Sequence, residues 1–278
     1  MSDGFFLATE RGHLYLARFG ELQGRHVWLY LPPFAEEMNL SRAVVARQAR
    51  ALVAQGDAVV CLDYLGTGDS ELELDQVDLN CWLDNIDAAV GWLRQQGVLS
   101  VGLWGLRFGA LMATTYLDRQ RQQQADVIDR LLLWKPVLDA KTLLGQFFRL
   151  RQVADSIKGL PKVNWLERVK QGETVEVAGY PIAPDWLNSI IEMRMRDQVG
   201  SQMPQTVWLE AASDKITPAV EKVAQLWPAQ CLTLQHCQGS AFWQNPDCYD
   251  SPELILDTVQ AWHSGVVPVH AKETMDVQ

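Results

Sequence analysis

The sequence lacks the signals of several large protein classes. It contains no apolar run near the roughly 20 residues that span a bilayer, and no basic segment followed by an apolar stretch at its start. We therefore expect a cytoplasmic protein without membrane insertion. The five cysteines include no C-x-x-C pair, which argues against a zinc ribbon or a disulfide framework. A formal charge of −10 argues against non-specific nucleic-acid binding, and nothing in the sequence suggests a metal or a cofactor.

What the sequence does contain is an alternation of strand and helix signals. Periodicity, apolar runs and turn residues divide its first half into short segments. This alternation is typical of an α/β fold, a mostly parallel sheet flanked by helices. The predicted segments are a hairpin (5–7 and 14–19), strands at 26–31, 57–63, 100–104 and 130–134, and helices at 41–55, 82–96 and 110–117.

The alternation stops between residues 138 and 203, where strong strand signals are missing. We predict that residues 140–203 form a helical cap inserted into a single domain spanning 1–278. Strands at 205–210 and 230–235 and a closing helix at 252–262 complete the chain, followed by a loose tail.

One turn carries most of the functional information. Gly105-Leu-Arg-Phe-Gly109 lies between a buried strand and a helix packed through small residues. This arrangement resembles the nucleophile elbow of α/β-hydrolases, in which a tight turn flanked by glycines presents a strained catalytic serine. The apex residue here is Arg107, and a guanidinium cannot attack a carbonyl carbon at neutral pH.

The order of elements resembles the α/β-hydrolase superfamily along nearly the whole chain. Within it, the chain is most similar to the exosortase A system-associated hydrolase 2 group. This resemblance implies an ester or thioester (acyl) hydrolase encoded beside an exopolysaccharide and protein-sorting system in bacteria. It rests on Pro33–Asn39 (PFAEEMN), Gly66–Ser70 (GTGDS), Leu103–Ala110 (LWGLRFGA) and Ala241–Gln244 (AFWQ).

The resemblance also lets each position of the catalytic machinery be checked. Arg107 occupies the nucleophile position, and Asp214 occupies the position of the acid. Ser240 stands roughly where the histidine base belongs, while His236 lies earlier, inside the last predicted strand. Without serine and histidine at these positions, the sequence predicts loss of both nucleophilic attack and proton transfer. Whether the chain is an enzyme at all is left open.

Arg107 has three interpretations. As an anion anchor, its guanidinium binds a carboxylate or phosphate with help from the backbone N–H groups of Phe34 and Phe108, the former oxyanion hole. As a structural residue, it pairs with Glu36, Glu37 or Asp214. As an ordinary surface arginine, it does neither.

Two glutamates and two further residues complete the candidate site. Glu36 and Glu37 lie in the predicted loop that walls the oxyanion hole, and one of them is a candidate general base on water. Ser240 and Trp243 are candidate ligand contacts. The sequence thus leaves open an unconventional acyl hydrolase, an inactive binder of an anionic small molecule or acyl carrier, and a scaffold. The associations considered are a homodimer and a partner hydrolase.

Overall fold

The computed structural model describes residues 2–125 and 128–263. Its strands are β1 (Ser2–Thr9), β2 (Gly12–Phe19), β3 (His26–Leu31), β4 (Ala58–Leu62), β5 (Ser100–Leu106), β6 (Ile128–Trp134), β7 (Val175–Val177), β8 (Tyr180–Ile182), β9 (Gln205–Glu210) and β10 (Leu232–His236). Its helices are α1 (Glu36–Ala54), α2 (Leu79–Gln95), α3 (Phe108–Gln122), α4 (Ala140–Ile157), α5 (Trp165–Lys170), α6 (Pro184–Ile190), α7 (Pro218–Ala224) and α8 (Pro252–His263).

Eight of these strands form one sheet in the order β1-β2-β4-β3-β5-β6-β9-β10, within the described residues. The β1–β2 hairpin and its junction with β4 are antiparallel, and the remaining neighbours pair in parallel. Helices cover both faces, so the central strands are apolar on both sides. In β5, Leu103 faces one hydrophobic layer and Trp104 faces the other. The prediction of a mostly parallel α/β sheet is confirmed.

Several predicted boundaries agree with the structure. The N-terminal hairpin is present, although its strands are longer than predicted. The strands His26–Leu31 and Gln205–Glu210 begin and end where the sequence places them. The predicted tail at 264–278 lies outside the described residues. No described helix is long and apolar enough to cross a membrane.

The predicted start of the first helix is wrong. The helix begins at Glu36 rather than Ser41, so Glu36 and Glu37 occupy its first turn instead of a loop. No side chain caps this end, because the residue before the helix is Ala35, which has no polar side-chain atom. Ala35 enters the helix with φ 54°. Serine often precedes a helix, which is why the prediction places the start at Ser41. Position 35 holds no capping residue, so the sequence contains no signal for the start at Glu36. Two carboxylates in the first turn are favourable beside the positive end of the helix dipole.

The residues between β6 and β9 contain three helices and also a small hairpin, so the expectation of a segment without strands is wrong. β7 and β8 pair with each other and not with the main sheet. Ala178 and Gly179 join them, both with positive φ (51° and 88°). Positive φ at both turn residues is the geometry of a two-residue hairpin, but Ala-Gly lacks the Asn or Asp that usually announces it. Strands of three residues are also too short for a periodic signal.

Candidate functional site: the elbow at Arg107

The backbone of the elbow, Gly105–Gly109, is that of a tight strand-to-helix turn. Arg107 has φ 55° and ψ −114° and stands between the end of β5 and the first residue of α3. Such angles are costly for a residue with a side chain, so the surrounding structure must impose them. Glycine is required at both ends of the turn. A Cβ on Gly109 would lie 2.0 Å from the carbonyl oxygen of Leu31, and one on Gly105 would lie 2.5 Å from the backbone of Ala110.

A second residue beside the elbow has nearly the same backbone conformation. Ala35, which precedes α1, has φ 54° and ψ −131°. It follows β3, the neighbour of β5 in the sheet, so α1 and α3 both leave adjacent strands through a strained residue. The two helix N-termini therefore begin at the same edge of the sheet, where each contributes positive electrostatic potential.

Arg107 is paired with Glu37 across these two helix starts. Its Nε lies 3.3 Å from both carboxylate oxygens of Glu37, and its Nη2 lies 3.3 Å from Oε1. The side chains are 12% and 16% exposed. Of the interpretations that the sequence leaves open, the structure gives the internal ion pair, and it selects Glu37 over Glu36 and Asp214. Since Glu37 neutralises the guanidinium, Arg107 is not an open anion site in this state.

Two residues of the segment 241–244 support this pair. The guanidinium of Arg107 lies over the ring of Trp243, 5.5 Å from its centroid, at a distance typical of a cation–π contact. Trp243 itself is buried. The side-chain amide of Gln244 donates to Oε1 of Glu37 at 3.4 Å. The sequence singles out this segment only through the family resemblance. It does not predict that Gln244 donates a hydrogen bond to Glu37.

Glu36 faces a different set of partners, at the rim of the site. Its Oε2 accepts hydrogen bonds from the Tyr180 hydroxyl at 3.1 Å and from Asn39 Nδ2 at 3.3 Å. Burial raises the pKa of Tyr180 to about 12, and the negative charge of Glu36 adds to this effect. Tyr180 belongs to β8, so a residue 144 positions away in sequence completes the rim. No local sequence pattern predicted it.

Aromatic side chains from the segment between β6 and β9 pack against Phe34 beside the elbow. The ring of Phe34 stacks on Trp186, 4.8 Å between centroids, and meets Phe147 edge-on at 5.0 Å. It also contacts Phe108 at 6.2 Å. Phe34 and Phe108 are therefore core residues through their side chains. Among the described residues, neither of their backbone N–H groups makes a hydrogen bond, which leaves the two candidate oxyanion-hole donors unengaged.

The acid position and the nearest histidine line an open cleft of about 470 Å³, which Arg107 does not line. It is lined by Asp214 and His236, the two residues closest to an acid and a base. His236 ends β10, and its Nε2 is 2.5 Å from the carbonyl oxygen of Ser213. Asp214 is exposed and forms no ion pair with Arg107. Ser240 is exposed as well, with its hydroxyl 2.8 Å from the Cys248 sulfur.

Two other nucleophile candidates are also engaged or inactivated. Cys237 follows His236 in the chain, but burial raises the pKa of its thiol well above the usual value, which disfavours the nucleophilic thiolate. The hydroxyl of Ser70 donates to the Asp63 carbonyl at 2.6 Å and accepts from the Tyr15 N–H at 2.7 Å. Ser70 therefore holds a turn together. Within residues 2–125 and 128–263, no group of three or more His, Cys, Asp and Glu side chains is placed to hold a metal ion.

Comparison with known proteins shows the fold and leaves the reaction open. No family model matches the chain, and no curated protein does. Among solved structures, it is similar to ferulic-acid-bound Est1E from Butyrivibrio proteoclasticus (TM-score 0.63, 15% identity, covering 92% of this chain and 96% of that one). It is also similar to a thioesterase domain of the curacin biosynthetic pathway (TM-score 0.57, 17% identity, 93% and 99%) and to a proline iminopeptidase of Mycobacterium smegmatis (TM-score 0.61, 12% identity, 94% and 98%). The chain therefore has the α/β-hydrolase fold.

Proposed function

We propose that this chain is a binding protein built on the α/β-hydrolase fold, without serine catalysis, whose ligand site is centred on Arg107 and Glu37. One observation carries the proposal: an elbow backbone presents a guanidinium held by a carboxylate. Arginine remains protonated at any ordinary pH and has no lone pair for nucleophilic attack. A histidine in reach would not change this, because there is no hydroxyl at the apex to activate.

The ligand class follows from what surrounds the pair. Backbone N–H groups of Phe34 and Phe108 and the N-termini of α1 and α3 favour a carboxylate or phosphate. The partly exposed ring of Tyr180, which packs against Phe34 and Phe147, offers an apolar acyl group a contact at the rim. We therefore propose an acyl compound with an anionic head group, which takes the place of Glu37 on Arg107. Such an exchange replaces one anion on Arg107 by another, and it uncovers no fully buried charge, because Arg107 and Glu37 are 12% and 16% exposed.

The setting of this activity is also a proposal. Resemblance in the segments 33–39, 66–70, 103–110 and 241–244 supports a role beside an exopolysaccharide and protein-sorting system. The esterase and thioesterase among the structural neighbours support an acyl ligand, since such enzymes share this fold. A protein that binds an acyl group without cleaving it agrees with the resemblance in these segments and with the structural neighbours.

Two measurements test the proposal. A fluorophosphonate probe and a panel of p-nitrophenyl esters and acyl-CoA thioesters should give no labelling and no turnover with the wild-type protein. Calorimetry with acyl phosphate, acyl-CoA and sulfate should give binding that Arg107→Ala abolishes. Stoichiometric labelling of any serine would overturn the loss of catalysis. Equal binding by both proteins, or none by either, would overturn the ligand site.

A second candidate function is hydrolysis by a water molecule activated at His236. It is favoured by one observation, that His236 and Asp214 line the same cleft. Neither Arg107 nor Phe34 lines that cleft, so a substrate there would not meet the former oxyanion hole. Turnover that survives Arg107→Ala and disappears in His236→Gln would identify this reaction.

A further inference from the structure

The cap carries a large apolar surface on its outside. α4 buries Leu143, Leu144, Phe147 and Phe148 against the core of the protein. On its outward side, Leu150 is 53% exposed, Val153 58% and Ile157 82%, and Leu160 just beyond the helix is 52% exposed. In a helix that turns about 100° per residue, positions 150, 153 and 157 lie within about 60° of one another. The helix is therefore apolar on two sides, and only one of them is covered.

The charge around this stripe is opposite to that of the rest of the chain. Residues 141–170 contain seven Lys and Arg against two Asp and Glu, a formal charge of +5. All other residues together contain 17 Lys and Arg against 32 Asp and Glu, a formal charge of −15. A positively charged segment in an acidic protein indicates a surface that meets an anionic partner.

The positive charges are placed at the rim of the apolar stripe. On the helical projection, Arg149 lies next to Val153 on one flank, and Lys158, one residue past the end of the helix, lies about 80° beyond Leu150 on the other. Lys162 follows in the adjoining loop. All three are exposed and none forms an ion pair with a described residue. By contrast, Arg151 is held by Asp155, so it contributes to the stability of the cap itself.

A small hollow adjoins the stripe. It measures about 260 Å³ and lies between the end of α4 and the segment that follows. Val153, Leu160, Pro161 and Val163 provide its apolar lining, and Lys162 stands at the same site. An apolar recess with a lysine beside it can take an acyl chain end or the glycerol region below a charged head group.

We propose that this surface docks the protein onto an anionic lipid membrane. We define the α4 face as Leu150, Val153, Ile157 and Leu160 together with Arg149, Lys158 and Lys162. Aliphatic side chains rimmed by cations match the boundary between acyl chains and anionic head groups.

Two other occupants fit the same surface less well. A symmetric pairing of two copies through this face would bring two +5 segments together. The contact surfaces of protein partners are enriched in aromatic and Met side chains, which the α4 face lacks. Lipid docking goes beyond the proposed ligand function and does not depend on it.

Vesicle co-sedimentation with the full chain tests this proposal. We expect binding to vesicles of phosphatidylcholine mixed with phosphatidylglycerol, weak binding to phosphatidylcholine alone, and a decrease with added salt. Ile157→Glu, and Lys158→Glu combined with Lys162→Glu, should each lower the vesicle affinity at least about tenfold. Leu99→Glu is the matched control, because Leu99 is 65% exposed at the opposite end of β5 from the elbow. It should leave binding unchanged.

Further readouts separate docking from misfolding and from self-association. Far-UV circular dichroism and thermal unfolding should be alike for all variants, because the changed residues are exposed. Equal vesicle binding by the control and the α4-face variants would overturn the proposal, as would no binding to anionic vesicles. A dimer in light scattering that Ile157→Glu dissociates would overturn it too, and would assign the face to a second copy of the chain. Calorimetry at Arg107 should be unaffected by these variants, so failure of one proposal is distinguishable from failure of the other.

Discussion

Two ion pairs at the same end of the sheet differ in how tightly they are held. Lys135 Nζ lies 2.7 Å from Oε2 of Glu210, a carboxylate with no exposed surface. Glu210 also accepts from the Trp208 indole at 2.8 Å. Arg107 and Glu37 are 3.3 Å apart, and both are partly exposed. In the first, which we call the enclosed pair, the carboxylate is fully buried and only Lys135 is exposed, at 18%. In the second, the open pair, both members keep some exposed surface, 12% for Arg107 and 16% for Glu37.

The difference separates a charge pair of the framework from the pair on which the proposed ligand site is centred. Both cations follow a strand at a residue with positive φ, 42° for Lys135 and 55° for Arg107, so the backbone presents them in a similar way. Their partners decide the outcome. Losing Lys135 leaves a fully buried carboxylate without a counter-charge, which is costly. Losing or exchanging Glu37 leaves a guanidinium that keeps 12% of its side-chain surface exposed and lies over the ring of Trp243.

The largest expected effect is on the enclosed pair. Lys135→Ala should lower the free energy of unfolding by about 3–5 kcal/mol, because the buried Glu210 loses its partner. Urea unfolding measures this. Lys215→Ala, at an exposed lysine, is the control and should change little. Equal stability of the two variants would contradict the prediction that the buried Glu210 depends on Lys135 as its counter-charge.

Next in size is the backbone that presents Arg107. Gly109→Ala should destabilise the fold by about 3 kcal/mol, since the new methyl group meets the Leu31 carbonyl. Gly145→Ala is the matched control: Gly145 lies inside α4 with open space around it, so alanine should stabilise by about 0.5–1 kcal/mol. Thermal unfolding distinguishes them. A neutral Gly109→Ala would mean that the elbow is less constrained than its geometry indicates.

The open pair should respond mainly in binding. Glu37→Gln should raise the affinity for acyl phosphate about tenfold, or ~1.4 kcal/mol, because it removes the competing carboxylate and leaves Arg107 charged. We expect a loss of about 1–2 kcal/mol in stability, because the pair is largely buried, although the glutamine oxygen can still accept from the guanidinium. Glu36→Gln, whose carboxylate contacts Tyr180 instead, is the control for calorimetry. A larger loss of stability than in Lys135→Ala would reverse the ranking of the two pairs.

The smallest effect concerns the rim of the open pair and appears at high pH. The pKa of Tyr180 is raised to about 12, so in the folded state the neutral phenol is favoured over the charged one. Its contribution to stability is complete below the unfolded pKa of about 10 and is lost as the pH rises towards the folded value. In Tyr180→Phe, the fall in unfolding free energy between about pH 10 and 12 should be less steep. Tyr249→Phe, at a tyrosine that is 61% exposed, should not change the slope.

Much of the fold could be predicted because its signals are local. The strand Gln205–Glu210 is an apolar run bounded by turn residues, and its limits agree with the structure. The elbow follows from two glycines at fixed spacing. The start of α1 was predicted wrongly and the β7–β8 hairpin was not predicted, because neither Ala35 nor an Ala-Gly turn is a residue pattern typical of a helix start or a hairpin.

The candidate site was predictable in part. Arg107 was identified as the apex from its flanking glycines, and three carboxylates were considered as its partner. The structure selects Glu37, because the first turn of α1 brings this residue, and not Glu36, over the elbow. Gln244 and Tyr180 were not predicted as parts of the site. Gln244 is 207 positions from Glu37 along the chain, and Tyr180 is 144 positions from Glu36.

By itself, the sequence determined the α/β sheet, the position of the elbow and the guanidinium at its apex, since each depends on residue types at short, fixed spacing. Only the tertiary structure decided that Arg107 is neutralised by Glu37, that Asp214 and His236 line a cleft that Arg107 does not line, and that one side of α4 remains uncovered. These features depend on contacts between segments distant in sequence. Ion-pair choice and burial are properties of such contacts, and no local pattern specifies them.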